Sequence, residues 1–285
     1  MSSHPLSASR LWWSYMRVPL AIFIVALALI EITRADVRIA QAVFFDPLAS
    51  RWVGADSWWT NELLHIGGRW FVRGIFLAAV VIWAATYHGA PPQWRRPSAY
   101  FALACLLGVG AVGLLKVLLH VPCPWDLKLF GGRLPYVPWL ARQFPTAHPG
   151  ACFPAAHAAS GYVLCSGYFL LRERNPRRAL VALGVGVSVG LIFGIAQQSR
   201  GAHFISHDLC SALLTWLIAT SLYVFAFRAR LWPAWQGVPE LLTMASPHSS
   251  RSSIELPAPQ LQSPRLAVPF RVLLRAPART RGRRR

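Results

Sequence analysis

Long runs of apolar residues that are nearly free of charge recur along this chain and constrain its fold more than any other feature. A helix needs about 20 residues to cross the apolar core of a bilayer. Six runs approach or reach that length, at residues 18–32, 71–87, 99–119, 155–171, 179–197 and 205–227. The first does so by extending back through Leu11, and the fifth, rich in Gly and Val, is the weakest candidate. We therefore expect an all-α, polytopic membrane protein with about six transmembrane helices.

Tryptophan is concentrated near the ends of these runs, as expected for aromatic belts at the two membrane interfaces. The residues concerned are Trp12, Trp13, Trp58, Trp59, Trp70, Trp94, Trp125, Trp232 and Trp235. A cleaved signal peptide is the alternative interpretation of the first run. Its apolar stretch is long for a signal peptide, however, and residues 31–34 make a poor small-residue cleavage site. A transmembrane helix is therefore preferred.

Much of the formal net charge of +19 lies near the end of the chain, after residue 227, and this distribution argues against a nucleic-acid partner. Residues 1–230 are expected to form one membrane-embedded domain. Residues 231–285 are rich in Pro, Ser and Arg and lack apolar periodicity, so we expect a disordered basic cytoplasmic tail. Two interpretations of the tail stay open. It lies on anionic membrane lipid, where each basic residue contributes roughly 1 kcal/mol, or it is an extension without a binding role.

The short loops predict the orientation of the chain in the membrane. Residues 88–98 carry two Arg and no acid, and residues 172–178 carry four Arg against one Glu. Residues 33–68 balance their Arg with acidic residues. Because basic loops stay in the cytoplasm, we expect both termini there. Residues 33–68, 120–154 and 198–204 are then on the outer side.

Three polar stretches fall on that outer side, at residues 116–124, 153–157 and 199–208. Phosphoryl transfer requires positive charge around the phosphate oxygens, an in-line nucleophile and a proton donor for the leaving group. Lys116 and Arg200 can supply the charge, and Arg adds bidentate geometry. His203 and His157 can supply the nucleophile and the acid. These stretches therefore predict one phosphoryl-transfer site at the membrane edge.

At these motifs the chain resembles the type 2 phosphatidic acid phosphatase/vanadium haloperoxidase family, whose pattern is KxxxxxxRP, PSGH and SRxxxxxHxxxD. The resemblance covers the expected helical core but not the tail. It implies that Lys116 binds phosphate, that His203 is the nucleophile and forms a phosphohistidine, and that His157 protonates the leaving group. It also implies phosphatase chemistry without a metal or other cofactor.

Several positions depart from the family pattern. Cys123 stands in place of the first-motif Arg, and Gln197 in place of the third-motif Arg. Ala155 and Ala156 replace Ser and Gly, which removes a hydroxyl but leaves their backbone amides as phosphate donors near a helix N-terminus. His207 replaces the Asp that normally orients the nucleophilic imidazole.

The two missing arginines leave the transition state short of positive charge, and such donors are typically worth a few kcal/mol each. Arg200, three residues before His203, can supply one, and Arg133 in the outer loop can fill the other place. A bacterial subgroup of the family, with Cys-Pro-Trp-Asp in its first motif and Gly-Ala-His-Phe in its third, is similar to this chain. The resemblance therefore favours divergence within an active subgroup.

The group that orients His203 stays open at this point. His207 can do so, because residues four apart share a helix face. Asp208 and Asp126 are the alternatives. The His203-x-x-x-His207 spacing is also compatible with zinc, but no third ligand is evident, and we expect no metal.

Other polar residues receive simpler interpretations. His65 and His120 are expected to be structural. Arg73 is costly in lipid, so it should face protein or water, either paired with Glu62 or lining a cavity. Of the five cysteines, Cys123 and Cys152 flank the first two motifs in the outer loop. They would form a disulfide in an oxidising periplasm, or else remain free thiols.

The preferred function is a phosphatase that acts on a lipid-linked phosphomonoester or pyrophosphate at the periplasmic face of a bacterial inner membrane. The alternatives are a lipid phosphotransferase and a non-catalytic lipid-phosphate-binding protein. A haem-binding electron carrier is disfavoured, because its paired His ligands should lie within the spans.

Overall fold

The three-dimensional structure is a computed structural model that describes residues 7–138 and 150–227. The expected domain boundary near residue 230 and the expected disorder of residues 231–285 lie outside the described residues and stay predictions.

The described residues are mostly helical, in agreement with the all-α fold class. The α-helices are α1 (Ala8–Thr33), α2 (Ala35–Ile39), α3 (Gly68–Ala85), α4 (Arg95–Leu119), α5 (Ala156–Tyr162), α6 (Gly167–Leu171), α7 (Pro176–Ser199) and α8 (Ile205–Ser221). Segments of π-helix cover Ala40–Phe44, Trp59–Gly67 and Leu222–Phe227, and short 3₁₀ turns cover Pro92–Trp94, Pro124–Asp126, Lys128–Phe130 and Val163–Ser166. Two-residue strands, β1 (Phe45–Asp46) and β2 (Arg51–Trp52), pair antiparallel with Phe45 opposite Trp52.

Local sequence explains several helix boundaries. The side chain of Asn175 accepts a hydrogen bond from the backbone of Arg178 at 3.0 Å and caps the start of α7. Pro176 occupies the first position of that helix, where its missing N–H costs nothing. At the C-terminal end of α4, His120 adopts a left-handed backbone conformation with φ of 50°. This conformation ends the helix one turn after Lys116.

Five helical segments are long and apolar enough to cross a membrane: Ala8–Thr33, Trp59–Ala85, Pro92–Asp126, Pro176–Ser199 and Ile205–Phe227. The chain is therefore a polytopic membrane protein. The Gly- and Val-rich run at residues 179–197, the weakest transmembrane candidate by sequence, forms α7, which is one of these segments.

The expected span at residues 155–171 differs from the other five. It is divided among α5, a 3₁₀ turn and α6, and its length of about 24 Å, at 1.5 Å per residue, is short for a bilayer core of about 30 Å. It is enclosed by protein instead, with Ala155, Ala158 and Ala159 fully buried. A Cβ on Gly161 would lie 2.5 Å from the backbone nitrogen of Gly190, so the glycine lets α5 pack directly against α7.

The helices alternate in direction, so one end of the bundle collects the C-termini of α1, α4 and α7 and the N-termini of α5 and α8. We call this the site end. A cluster of buried side chains covers it, formed by Ala40, Trp52, Leu127, Phe130 and Phe204. At the opposite end, the hydroxyl of Tyr100 donates to the carbonyl of Ala219 at 3.1 Å.

Candidate active site

A cavity of about 660 Å³ opens among α3, α4, α5 and α7 at the site end. Its lining includes residues of all three polar stretches and of α3, together with residues outside them: His65, Arg69, Val72, Arg73, Phe76, Cys105, Leu106, Val109, Gly110, Lys116, Trp125, Cys152, Ala156, His157, Ser160, Gln197, Arg200, Ala202 and His203. The structure thus brings together residues that are far apart in sequence.

The cavity is polar toward the site end and apolar along its depth. The part of α4 that lines the cavity runs from Cys105 to Lys116, a length of about 16 Å at 1.5 Å per residue. Val72 and Phe76 on α3 face the same volume, as do Leu106 and Val109 on α4. Among the described lining residues there is no Asp or Glu. The arrangement therefore suits an anionic group joined to an apolar chain.

Lys116 and Arg200 supply positive charge from two helix ends. Lys116 lies in the last turn of α4, half-buried, and makes no hydrogen bond or ion pair within the described ranges. Arg200 follows the last residue of α7, and its Nη1 donates to Oε1 of Gln197 at 3.0 Å. Both side chains line the cavity, where they can contact phosphate oxygens.

Gln197 connects Arg200 to His65. Because the oxygen of the Gln197 amide accepts from Arg200, its Nε2 faces His65 Nδ1 at 3.1 Å and donates to it. A neutral His65 then carries its hydrogen on Nε2. The residue in the family's arginine position thus holds two cavity residues in place, and His65, which we expected to be structural, belongs to the cavity wall.

His157 is positioned at the start of α5 by three contacts. Its Nε2 lies 2.8 Å from the carbonyl oxygen of Leu64, which can only accept, so Nε2 donates. Its ring stacks on Phe193 with centroids 4.4 Å apart. A Cβ on Gly68 would lie 2.7 Å from the Phe193 ring, so glycine is needed for this approach. Nδ1 of His157 is left as the atom that can carry a second proton.

His203 lies in the turn between α7 and α8. Gly201 permits this turn, with φ of 76° and the ring of Trp52 packed where a Cβ would stand. The His203 ring is buried yet lines the cavity. Burial lowers the pKa of His203 well below its ordinary value, and the nearby His207 and Lys116 lower it further. The imidazole is therefore neutral at pH 7, as a nucleophile must be.

The expected orienting carboxylates do not contact His203. Asp208 is buried and accepts a hydrogen bond from Nε2 of Gln198 at 2.5 Å. Asp126 accepts from the backbone N–H of Cys123 at 3.2 Å. His207, by contrast, lies beside His203, with the two Nδ1 atoms 3.5 Å apart, and its Nδ1 donates to the carbonyl of Cys152 at 2.8 Å.

A disulfide joins Cys123 to Cys152, with Cα atoms 5.1 Å apart. It links the first motif to the residue just before the second. The backbone N–H of Cys152 also donates to the carbonyl of Val121 at 3.0 Å. The segments that contain Cys123 and Cys152 are thus linked next to His203 and His207.

Of the three other groups that were expected to bind phosphate, one lines the cavity and two do not. Ala156 lines the cavity. The N–H of Ala155 points instead to the carbonyl of His207, at 3.4 Å. Arg133 is exposed and is not among the cavity-lining residues.

Arg69 and Arg73 on α3 line the cavity, and sequence reasoning gave neither of them a role in phosphate binding. Nη1 of Arg69 lies 3.4 Å from Nε2 of His65, and the guanidinium of Arg73 lies 5.1 Å from the Trp70 ring centroid. Of the two alternatives for Arg73, lining a cavity is the one observed. A signal was present in the four-residue spacing of His65, Arg69 and Arg73, which places them on one helix face.

A family model, the PAP2 superfamily, matches residues 97–231. Over these residues, which are slightly less than half of the chain, the sequence is similar to the PAP2 superfamily. The matched region includes α4 to α8 and all three motifs, which supports phosphatase activity on phosphate esters. The α3 side of the cavity lies outside it. Neither the curated proteins nor the solved structures gave a match to this chain.

Proposed function

We propose that this protein is a metal-independent phosphatase that hydrolyses a lipid-linked phosphomonoester or pyrophosphate through a phosphohistidine. The observation that carries the proposal is the single cavity that gathers Lys116, His157, Arg200 and His203 from separate elements. The PAP2 superfamily match provides the reaction class. The finer steps rest on the geometry of these side chains.

In the proposed reaction, Nε2 of His203 attacks phosphorus in line with the leaving oxygen. The P–N bond forms as the P–O bond to the lipid alcohol, or to its phosphate, breaks. Burial lowers the pKa of His157 to about 4, so protonation of Nδ1 would depend on the negative charge of the bound phosphate. The protonated His157 then gives that proton to the leaving oxygen. Lys116 and Arg200 stabilise the charge on the equatorial oxygens. Water, deprotonated by His157, then cleaves the P–N bond and releases phosphate.

The apolar depth of the cavity supports a lipid substrate. With the phosphate between Lys116 and His203, the attached chain would extend past Val72 and Leu106. Arg69 and Arg73 lie along this path, where the chain-side phosphate of a pyrophosphate would pass. Candidate substrates are phosphatidic acid, phosphatidylglycerol phosphate, undecaprenyl pyrophosphate and the phosphates of lipid A.

The charge of the loops supports a location in a bacterial inner membrane with the site toward the periplasm. The arginine-rich loops at residues 88–98 and 172–178 lie at the end of the helices opposite the site end. Positive loops remain cytoplasmic, which would leave the site end outside.

The test is phosphate release by the full-length protein in detergent with EDTA, with each of the four lipids, beside a His203→Ala variant. We expect release from at least one lipid and a loss of about 10⁴-fold or more in the variant. Acid-labile, base-stable ³²P on the wild-type protein would identify the phosphohistidine.

Two outcomes would contradict the proposal. Release that needs a divalent cation would contradict metal independence, and equal release by the variant would contradict histidine chemistry. Phosphate transfer to an added lipid alcohol, without release to water, would instead identify a phosphotransferase. Binding of lipid phosphate with neither reaction would identify a binding protein.

A further inference from the structure

His203 has no carboxylate partner within the described ranges. In the family that the chain resembles, an Asp four residues after the nucleophile orients its ring, and His207 occupies that position here. Asp208 bonds to Gln198 and Asp126 bonds to Cys123. Some other acceptor must therefore fix the tautomer that leaves Nε2 free to attack.

The donors and acceptors around His203 and His207 identify that acceptor. The Nδ1 of His207 lies 2.8 Å from the Cys152 carbonyl, so it must donate and has no lone pair left for His203. Nδ1 of His203, 3.5 Å from that atom, therefore cannot donate to it. A carbonyl oxygen has two lone pairs, and the Cys152 carbonyl also acts as an acceptor toward His203, where it opposes the lowering of the His203 pKa. The carbonyl can thus accept from both rings.

The position of this carbonyl depends on the cross-link. Cys152 is held by its disulfide to Cys123 and by its N–H bond to Val121 at 3.0 Å. Cys123 in turn is held by the side chain of Asp126 at 3.2 Å. Gly150 also packs against Val121, since a Cβ on Gly150 would lie 2.6 Å from the carbonyl carbon of Val121.

We infer that the Cys152 carbonyl is the positioning group for His203, and that the Cys123–Cys152 disulfide holds it there in place of the family's aspartate. The inference rests on the proposed phosphohistidine chemistry. Nδ1–H of His203 donates to the carbonyl, and Nε2 faces the cavity with its lone pair free. The disulfide then affects the rate of attack through the position of this carbonyl.

The experiment compares the wild type, the pair Cys123→Ala/Cys152→Ala, the single His207→Asp, and all three substitutions together. We expect the cysteine pair to lower kcat about 100-fold, as a misplacement of about 1 Å can, with KM nearly unchanged. His207→Asp restores a carboxylate to the family position, so adding it to the cysteine pair should recover most of the lost kcat. Cys210→Ser, which changes a free cysteine on α8, is the matched control and should leave kcat unchanged.

This rescue separates positioning from simple stability, because a new buried carboxylate cannot replace a lost cross-link. Thermal unfolding in detergent, followed by circular dichroism, shows whether each variant is folded. An unchanged kcat in the folded cysteine pair would overturn the inference. A fall in kcat that His207→Asp does not reverse would also overturn it and assign the disulfide a purely structural role.

A second readout does not depend on activity. In ¹⁵N-histidine NMR, the His203 signals are those missing from a His203→Gln variant. We expect the Nδ1–H tautomer in the wild type and a shift toward Nε2–H in the cysteine pair. The same tautomer in both proteins would overturn the inference. If the wild type releases no phosphate from any lipid, the proposed function fails, while this measurement still tests the carbonyl contact.

Discussion

The two sides of the cavity are built differently. On one side, which we call the motif wall, Lys116, His157, Arg200 and His203 come from four chain segments, and both histidines are buried. The other side, the α3 wall, consists of His65, Arg69 and Arg73 on a continuous helical segment.

The two arginines of the α3 wall are exposed, and their contacts with other described residues are long, at 3.4 Å from Arg69 to His65 and 5.1 Å from Arg73 to the Trp70 ring. In the motif wall, His157 and Arg200 make hydrogen bonds of 2.8 and 3.0 Å. If the proposed function holds, the motif wall is preorganised for the bond-breaking step, whereas the α3 wall can adjust to the bound headgroup. Substitutions in the motif wall should therefore lower kcat, and those in the α3 wall should raise KM.

The largest effect within this comparison is expected for His157→Asn. Loss of a general acid should lower kcat about 10²–10⁴-fold on a lipid substrate. The loss should be much smaller with p-nitrophenyl phosphate, whose leaving group needs no proton. His120→Asn, at an exposed histidine that ends α4, is the control. An equal loss with both substrates would show that His157 is not the acid.

Arg200→Gln should have the next largest effect. Removing one charged donor at the transition state should cost about 10²–10³-fold in kcat. Arg133→Gln is the matched control, because Arg133 is exposed and outside the cavity lining, and it should behave as wild type. If Arg133→Gln gives the larger loss of the two, the outer loop and not α7 supplies the missing arginine.

Arg69→Gln and Arg73→Gln should act on binding. A charge-assisted hydrogen bond contributes about 1.5–3 kcal/mol, so we expect KM for undecaprenyl pyrophosphate to rise about tenfold or more, with kcat nearly unchanged. The rise should be smaller for phosphatidic acid, which lacks a second phosphate. Steady-state kinetics on both lipids measures the ratio. Equal increases in KM would show that the α3 wall does not distinguish pyrophosphates, and a fall in kcat alone would remove the difference between the walls.

The smallest effect concerns pH. Burial lowers the pKa of His203 well below its ordinary value. Since a lowered pKa favours the neutral ring, the nucleophile should remain unprotonated as pH falls past about 6.5. The acid limb of kcat/KM due to His203 is therefore expected below that pH. Ionisation of the substrate phosphate is followed separately by ³¹P NMR. An acid limb at or above pH 6.5 that ionisation of the substrate does not explain would contradict the lowered pKa of His203.

Sequence reasoning identified the motif wall because its residue types and spacings are a chemical signature. Lys116, His157 and His203 all line the same cavity, and the side of the membrane that this cavity faces stays a prediction from loop charge. The run at residues 155–171 was harder to interpret, since apolar residues look the same whether they face lipid or the inside of a protein. The close contact of Gly161 with Gly190 decides that question and has no signature in either segment alone.

The α3 wall and the orientation of His203 could not be derived in the same way. A charged residue inside an apolar run indicates water or protein nearby, but not which cavity it faces, and this left Arg73 undecided. The Cys152 carbonyl is a main-chain atom that every residue possesses. Its proximity to His207 depends on the path of the outer loop, which no residue type encodes.

The disulfide also has a consequence for chain continuity. Cys123 and Cys152 are separated by 29 positions, so residues 139–149 belong to a closed covalent ring. A protease cut within those residues would leave a two-piece protein that runs as a single molecule until it is reduced. Its Lys116 piece and its His203 piece would remain covalently attached to each other. Cleavage within residues 139–149 would therefore be visible by electrophoresis only after reduction.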